Sequence, residues 1–389
     1  MRYGVLRRPR FAFYRMMSSS ETKIPVLPLP DPKSDEEITF VRNGGGLFVT
    51  LNRPKALNSL TTDMIDRLYA NLKKAEDLAG VYHVVVRGAG GKAYCAGGDV
   101  KALTLAKQKD GNTQMGQTFF RREYRMNHLI ATMQKNYVAV MDGITMGGGV
   151  GISLPGRFRI ATENTVWAMP ETAIGLFPDV GASYFLPRLK GQLGVYLALT
   201  GASLKGADVF HAGIATHFVP SHLIPTILDR IQELQPDPGS VNYAIRERHY
   251  PEPPSQGFLA MQPVIDQCFS KSSVEAIIDE LKSTGTQFGQ AVVDKLEQMC
   301  PLSLKVAFKA IRAGKHLSLE QCFQMEYRLA RHFLDSPDFY EGVRAALIDK
   351  DKRPKWQHAR VSDVPESLVT SFFGQVDNEL LLQPPVPRL

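Results

Sequence analysis

Two carboxylic acids that each follow a proline are the clearest candidates for chemistry in this sequence. Glu171 follows Pro170 and Asp179 follows Pro178, in apolar surroundings. If the chain turns between them, both side chains could line one pocket, where burial would raise a carboxyl pKa and permit acid–base catalysis near neutral pH. The alternative interpretation is that both acids only stabilise the N-terminal ends of helices.

Two glycine clusters could supply hydrogen-bond donors for the same chemistry. Residues 96–101 read Ala-Gly-Gly-Asp-Val-Lys and end at a predicted helix start, and residues 146–151 read Met-Gly-Gly-Gly-Val-Gly. Amides at a helix start lack an intrahelical acceptor, so those of Gly98 and Gly148 could together form an oxyanion hole. The alternative is that both clusters only make tight turns.

Other motifs point to no further chemistry. Glu123 lies in an arginine-rich helical segment, where its spacing predicts a surface ion pair. The glycine-rich residues 88–92 lack the spacing and the Ser or Thr of a phosphate-binding loop. No histidine pair has metal-ligand spacing, and no Gly-x-Ser-x-Gly motif is present. We therefore expect neither a metal site nor a serine nucleophile.

The elements that must position these residues follow a β/α order. Two β-type runs, Ile38 to Arg42 and Leu47 to Leu51, flank a glycine-rich turn, and Thr61 or Thr62 can then cap a helix. The pattern further predicts a strand at 82–86, a helix from residue 99, a second helix at 113–134 and another strand at 138–141. Glycine-rich loops lead from strand to helix, which indicates α/β architecture.

Changes in composition divide the chain into six segments. We predict a transit peptide at 1–20, a linker at 21–36, a core at 37–248, a linker at 249–256, a helical C-terminal region at 257–375 and a loose tail at 376–389. In the helical region, Ser318 with Gln321 predicts a capping box. The leader is rich in arginine and free of acids, which is typical of import into the mitochondrial matrix. The C-terminal Pro-Arg-Leu resembles a peroxisomal signal, so the peroxisome is the alternative address.

The charge and the cysteines exclude several classes of protein. The net charge of +7 falls to 7 − 5 = +2 without the five arginines of the leader, so the body gives little support for nucleic-acid binding. No apolar run approaches the roughly eighteen residues of a membrane span. The four cysteines show neither zinc spacing nor a disulfide framework, which is typical of a reducing compartment.

Taken together, the motifs resemble the crotonase superfamily and, within it, a hydrolase branch. The superfamily strings are residues 51–58, 96–101 and 146–151, and the hydrolase strings are 169–171, 177–181, 325–329 and 341–345. The similarity runs from about residue 38 to 356. It implies a crotonase-type spiral of strand-strand-helix turns, with a helical C-terminal region beside it.

The resemblance also implies roles for individual residues. Gly98 and Gly148 match the positions whose amides hold the thioester oxygen. Glu171 matches the catalytic glutamate, and Asp179 matches the partner of that glutamate. Glu123 matches a residue that contacts the substrate, and this role replaces the surface ion pair expected from spacing. Nine further positions match segments that contact coenzyme A: Arg53, Lys55, Ala56, Leu57, Ala96, Gly97, Asp99, Val100 and Lys101.

The implied reaction is hydrolysis of the thioester of 3-hydroxyisobutyryl-CoA, a step of valine degradation. No cofactor is expected, because coenzyme A is part of the substrate. A hydratase of the superfamily would carry its first glutamate where this chain has Gly151. Enoyl-CoA hydration or isomerisation and a ribosome-associated interaction role in mitochondria remain alternatives. Glu171 could act as a base or as a nucleophile, and the base is preferred. Assembly into a homo-oligomer is also possible.

Overall fold

The structure is a computed structural model that describes residues 36–233, 239–255 and 257–383. The predicted transit peptide and all but the last residue of the linker at 21–36 lie outside the described residues. Ten strands are found in the described part of the chain: β1 Ile38–Asn43, β2 Gly46–Leu51, β3 His83–Gly88, β4 Ala93–Cys95, β5 Asn136–Met141, β6 Ile144–Met146, β7 Phe158–Ala161, β8 Val166–Ala168, β9 Leu204–Lys205 and β10 His217–Phe218.

Sixteen α-helices connect and cover these strands within the same described ranges. They are α1 Thr62–Asp77, α2 Val100–Asp110, α3 Gln114–Thr132, α4 Gly148–Gly151, α5 Ala182–Phe185, α6 Leu193–Thr200, α7 Ala207–His211, α8 Ile224–Glu233, α9 Ser240–Arg246, α10 Gln262–Cys268, α11 Val274–Ser283, α12 Gln287–Glu297, α13 Pro301–Gly314, α14 Leu319–Asp335, α15 Pro337–Val343 and α16 Glu366–Ser371.

The strands form two sheets between which the chain alternates. One sheet has the order β1-β2-β3-β5-β7-β10 and the other β4-β6-β8-β9. From β2 to β10 the first sheet is parallel, and only the β1–β2 hairpin is antiparallel. Each turn from β3 to β8 therefore adds one strand to each sheet before the chain enters a helix. The predicted spiral of strand-strand-helix turns is confirmed.

Local sequence signals explain where the helices begin. The Thr61 side chain accepts a hydrogen bond from the Met64 amide at the start of α1, as the capping rule predicts. Ser318 and Gln321 form the predicted capping box of α14. The strand predicted at 138–141 begins two residues earlier, at Asn136, because pairing with β3 extends the ladder.

The six-stranded sheet is buried on both faces. In β3, Val84 and Val86 belong to the main core, whereas Val85 points to a second apolar cluster under α8 and α9. Alternate residues of a strand point to opposite faces, so a continuous valine run is what such a strand requires.

The helical C-terminal region shares the main core with the spiral. Phe333 and Phe339 belong to the same buried cluster as Val150 and Trp167. Part of the segment predicted as a loose tail is also packed: Glu379 pairs with Arg328 at 2.8 Å, and Leu380 is buried. Glu379 and Leu380 thus anchor part of this segment, whereas Leu381 is 79% exposed, and 384–389 lie outside the described residues. Within the described ranges, no helix has both the length and the apolar character needed to cross a bilayer.

Candidate active site

A cavity of about 290 Å³ lies where the spiral meets the C-terminal region. Loops after β4, β6 and β8 form its base, α3 forms one wall, and the turn Arg344–Ile348 contributes Leu347 at the rim. The cavity is lined by Leu57, Ala96, Gly97, Gly98, Val100, Phe119, Phe120, Glu123, Ile144, Met146, Gly147, Gly148, Pro170, Glu171, Ile174, Leu176, Asp179 and Leu347. The chain thus brings both glycine clusters and all three predicted acids to one place.

The amides of Gly98 and Gly148 lie side by side at this cavity. A Cβ built on Gly148 would stand 3.1 Å from the Gly98 nitrogen. Hydrogen bonds from Leu60 N to Gly97 O and from Asp99 N to Leu60 O hold the first loop in place. Neither Gly98 nor Gly148 donates its amide to a protein acceptor in the described part of the chain. This arrangement suits two donors to one oxygen, which supports the predicted oxyanion hole.

Glu171 opens the 3-10 turn Glu171–Ile174, three residues after the end of β8. It is 5% exposed, and its Oε2 has no hydrogen-bond partner among the described residues. Burial, followed by the nearby charge of Asp179, raises the pKa of Glu171 well above its ordinary value. A raised pKa makes the ionised carboxylate a stronger proton acceptor, as acid–base catalysis requires.

Asp179 also lines this cavity, from the loop between the turn Glu171–Ile174 and α5. Its Oδ2 accepts a hydrogen bond of 2.7 Å from the Tyr124 hydroxyl, and both side chains are buried. Burial raises the pKa of Asp179 to about 7, and the hydrogen bond from Tyr124 acts in the opposite direction. Asp179 therefore titrates in the range where an enzyme works.

Glu123 completes the group of acids. It lies on α3, is 2% exposed, and has an unpartnered Oε1 only 2.5 Å from the position of a Cβ on Gly148. Burial, then the charges of Asp179 and Glu171, raise its pKa well above the usual value. The surface ion pair expected from spacing alone is wrong, because this face of α3 turns inward.

Only part of the predicted coenzyme A segments lines the cavity. Leu57, Ala96, Gly97 and Val100 do, whereas Arg53, Lys55, Ala56, Asp99 and Lys101 do not. The Arg53 guanidinium instead pairs with Asp99 at 3.2 Å and with Glu37 at 2.9 Å, and Asp99 caps α2. Lys55 and Lys101 are exposed on the surface. Their contact with coenzyme A stays a prediction.

Three residues of the site were not predicted from the sequence. Tyr124 bonds Asp179, Glu326 binds the segment that follows Asp179, and Leu347 reaches the rim from far along the chain. Burial raises the pKa of Glu326 to about 8, while bonds from Ser183 and Gly181 lower it. One available signal was the position of Glu326 within the hydrolase string at 325–329. Tyr124 and Leu347 have no such signal.

Gly151 is packed too tightly for an acid. A Cβ built there would lie 2.6 Å from Val180 Cβ and 2.9 Å from Asn127 Nδ2. A glutamate could enter only by displacing these neighbours. Among the described residues, no three His, Cys, Asp or Glu side chains converge as ligands for a metal ion.

Comparison with known proteins defines the class to which this fold and site belong. The model of the enoyl-CoA hydratase/isomerase family matches residues 47–373, and the chain belongs to that family. The predicted crotonase resemblance is therefore confirmed. A crystal structure of a carnitinyl-CoA dehydratase from Mycobacterium thermoresistibile matches with a TM-score of 0.83 at 36% identity, covering 89% of this chain and 99% of that one.

Two curated relatives narrow the comparison within the family. The protein of Danio rerio named "3-hydroxyisobutyryl-CoA hydrolase, mitochondrial" is 47% identical over 350 residues, covering 89% of this chain and 91% of that protein. The protein of the same name from Rattus norvegicus is 46% identical over 342 residues, covering 87% and 88%.

Proposed function

We propose that this chain hydrolyses the thioester of 3-hydroxyisobutyryl-CoA to 3-hydroxyisobutyrate and coenzyme A, a step of valine degradation. The observation that carries the proposal is the likeness along nearly the whole chain to relatives named for this hydrolase. The site supports it, since three buried acids and two glycine amides surround one small cavity.

The chemistry requires only water and these groups. Glu171 takes a proton from a water molecule, whose oxygen attacks the thioester carbon while the amides of Gly98 and Gly148 hold the developing oxyanion. The intermediate collapses, the carbon–sulfur bond breaks, and the coenzyme A thiolate takes up a proton. Asp179 orients the water or the substrate hydroxyl, or supplies that proton. We propose that no cofactor takes part, and activity that survives exhaustive dialysis against a chelator is expected.

A second route uses the same carboxylate. Glu171 would attack the thioester carbon, release the thiolate and form a mixed anhydride, which water then opens. We prefer the base, because burial raises the pKa of Glu171 and thereby makes its ionised carboxylate a stronger proton acceptor.

The alternatives are not favoured. Hydration through two glutamates would need a first acid at 151, where Val180 and Asn127 leave no room. A ribosome-associated role does not explain why the cavity holds the acids together with both amides.

The relatives are mitochondrial by name, and this chain is assigned to the mitochondrion with them. We propose the matrix as its compartment. Its substrate belongs to the acyl-CoA thioesters of the family.

Thiol release from 3-hydroxyisobutyryl-CoA tests the function directly. Purified protein beginning at Ser18 is expected to release thiol, and variants Glu171→Ala and Asp179→Ala, checked for folding, are expected to lose most of the activity. Crotonyl-CoA serves as the comparison substrate. No thiol release by folded wild-type protein would refute the proposal.

A further inference from the structure

Glu326 is a completely buried carboxylate that binds the segment following Asp179. It lies on α14 and is 0% exposed. Its Oε2 accepts a hydrogen bond from the Gly181 amide at 2.7 Å, and its Oε1 accepts from the Ser183 amide at 2.9 Å and the Ser183 hydroxyl at 2.6 Å. All three bonds end on residues two to four positions after Asp179.

The segment held in this way is strained. Val180 has a φ of 53° and Gly181 a φ of 93°, so two successive residues are left-handed. A β-branched residue rarely adopts such a φ, and the strain costs about 1–3 kcal/mol. A conformation of this kind persists only where its surroundings hold it. Glu326 supplies those contacts on one side of the turn.

The same helix also supports the partner of Asp179. The ring of Phe323, one turn before Glu326 on α14, packs 5.9 Å from the ring of Tyr124. Phe323 also lies against Gly181, where a Cβ would stand 3.2 Å from its ring. Helix α14 therefore contacts both the backbone that carries Asp179 and the tyrosine that bonds its carboxylate.

We propose that Glu326 is a positioning residue for the hydrolysis, which holds the left-handed turn at Val180–Gly181 and thereby keeps the Asp179 carboxylate at the cavity and bonded to Tyr124. The inference rests on the proposed function and deepens it. Glu326 does not line the cavity, so it acts on the substrate only through Asp179.

A double-mutant cycle tests this coupling. Glu326→Gln keeps the size of the side chain, but its amide NH2 cannot accept a hydrogen bond from a backbone amide. We expect kcat to fall at least about tenfold with a KM change under about threefold. In an Asp179→Asn background, Glu326→Gln should cause little further loss, because both substitutions act on one group.

The control is Asp208→Asn. Asp208 is also buried, and it accepts a hydrogen bond from the Ser255 hydroxyl away from the cavity. The Asp208→Asn substitution should leave kcat within about twofold of the wild-type value. If Glu326→Gln does not fold, Ser183→Ala replaces it, since that change removes one of the three donors and should show a smaller drop with the same coupling to Asp179.

An equal loss of kcat in both backgrounds, or wild-type turnover by folded Glu326→Gln, would overturn the positioning role. If wild-type protein releases no thiol, the proposed function fails, and a crystal structure of Glu326→Gln still decides the inference. The Tyr124–Asp179 hydrogen bond should then be broken and the turn relaxed. An unchanged bond and turn would overturn it.

Discussion

The phenol of Tyr124 donates a hydrogen bond of 2.7 Å to Oδ2 of Asp179 in the interior of the protein. Tyr124 is the immediate neighbour of Glu123 on α3, so one helix presents a carboxyl group to the cavity and ties a second one in place. A hydrogen bond to a charged group contributes about 1.5–3 kcal/mol, which makes this bond a determinant of how Asp179 titrates.

Tyr124→Phe should shift the pH dependence of hydrolysis. The bond from Tyr124 lowers the pKa of Asp179, which burial raises to about 7. Its loss should move the corresponding limb of the kcat profile up by roughly one to two pH units. The profile of kcat from pH 5 to 9 measures this shift. A limb that stays in place would show that another group produces it, and Asp179→Asn should abolish the limb.

Asp179→Asn should stabilise the protein at high pH. The folded-state pKa, about 7, lies above the ordinary value of 3.8, so the wild-type chain loses stability as pH rises from about 4 through 7. Ionising the buried group costs on the order of 4 kcal/mol, and asparagine avoids this cost while still accepting from Tyr124. Urea unfolding should show the variant to be more stable at pH 8 and nearly equal to wild type at pH 4. Equal stability at both values would contradict the titration assigned to Asp179.

Gly148→Ala should strongly reduce kcat. The new methyl group would stand 2.5 Å from Glu123 Oε1 and 3.1 Å from the Gly98 amide, so it would displace both. Loss of one oxyanion donor lowers kcat about 10²–10³-fold. Gly111→Ala is the control: it lies at the end of α2 with nothing within 4 Å of the added Cβ, and it should cost stability without a comparable loss of kcat.

Leu347 should influence which acyl groups are accepted. It is 40% exposed yet lines the rim of a cavity of about 290 Å³. Leu347→Ala removes part of the apolar wall of the cavity. We therefore expect the ratio of kcat/KM for longer acyl-CoA thioesters to kcat/KM for 3-hydroxyisobutyryl-CoA to rise about tenfold. Leu105→Ala, at a similarly exposed leucine outside the cavity, should leave the ratio unchanged. If this ratio does not change in Leu347→Ala, residues other than Leu347 determine the acyl specificity.

Oxygen labelling tests whether a mixed anhydride on Glu171 forms and is opened by water at the glutamyl carbonyl. In a single turnover in water labelled with heavy oxygen, a general base leaves the label entirely in 3-hydroxyisobutyrate. A mixed anhydride opened at the Glu171 carbonyl would leave label on the protein. Mass spectrometry of the peptide that contains Glu171 measures this. We expect no label there, and its appearance would establish the nucleophilic route.

Local sequence was sufficient for the hairpin, the helix starts at Thr61 and Ser318, and the alternation of strand and helix. These features depend on residues a few positions apart, such as the capping hydroxyl and the amide it accepts from. The glycine clusters and the two acids that follow proline could also be recognised in the sequence. Their meeting in one cavity followed only from the resemblance to a family.

The tertiary structure decided which side chains meet and which remain apart. Glu123 turned inward instead of pairing at the surface, and Arg53 paired with Asp99 away from the cavity. Near the C-terminus, Glu379 paired with Arg328 and Leu380 became buried. Contacts between distant segments, such as Tyr124 with Asp179 and Glu326 with Gly181, depend on how helices pack across the sheets. The sequence by itself determined the elements and the chemically capable residues, because those depend on local bonding. Burial, and with it the raised pKa of each acid, arises only when the whole chain excludes water from the site.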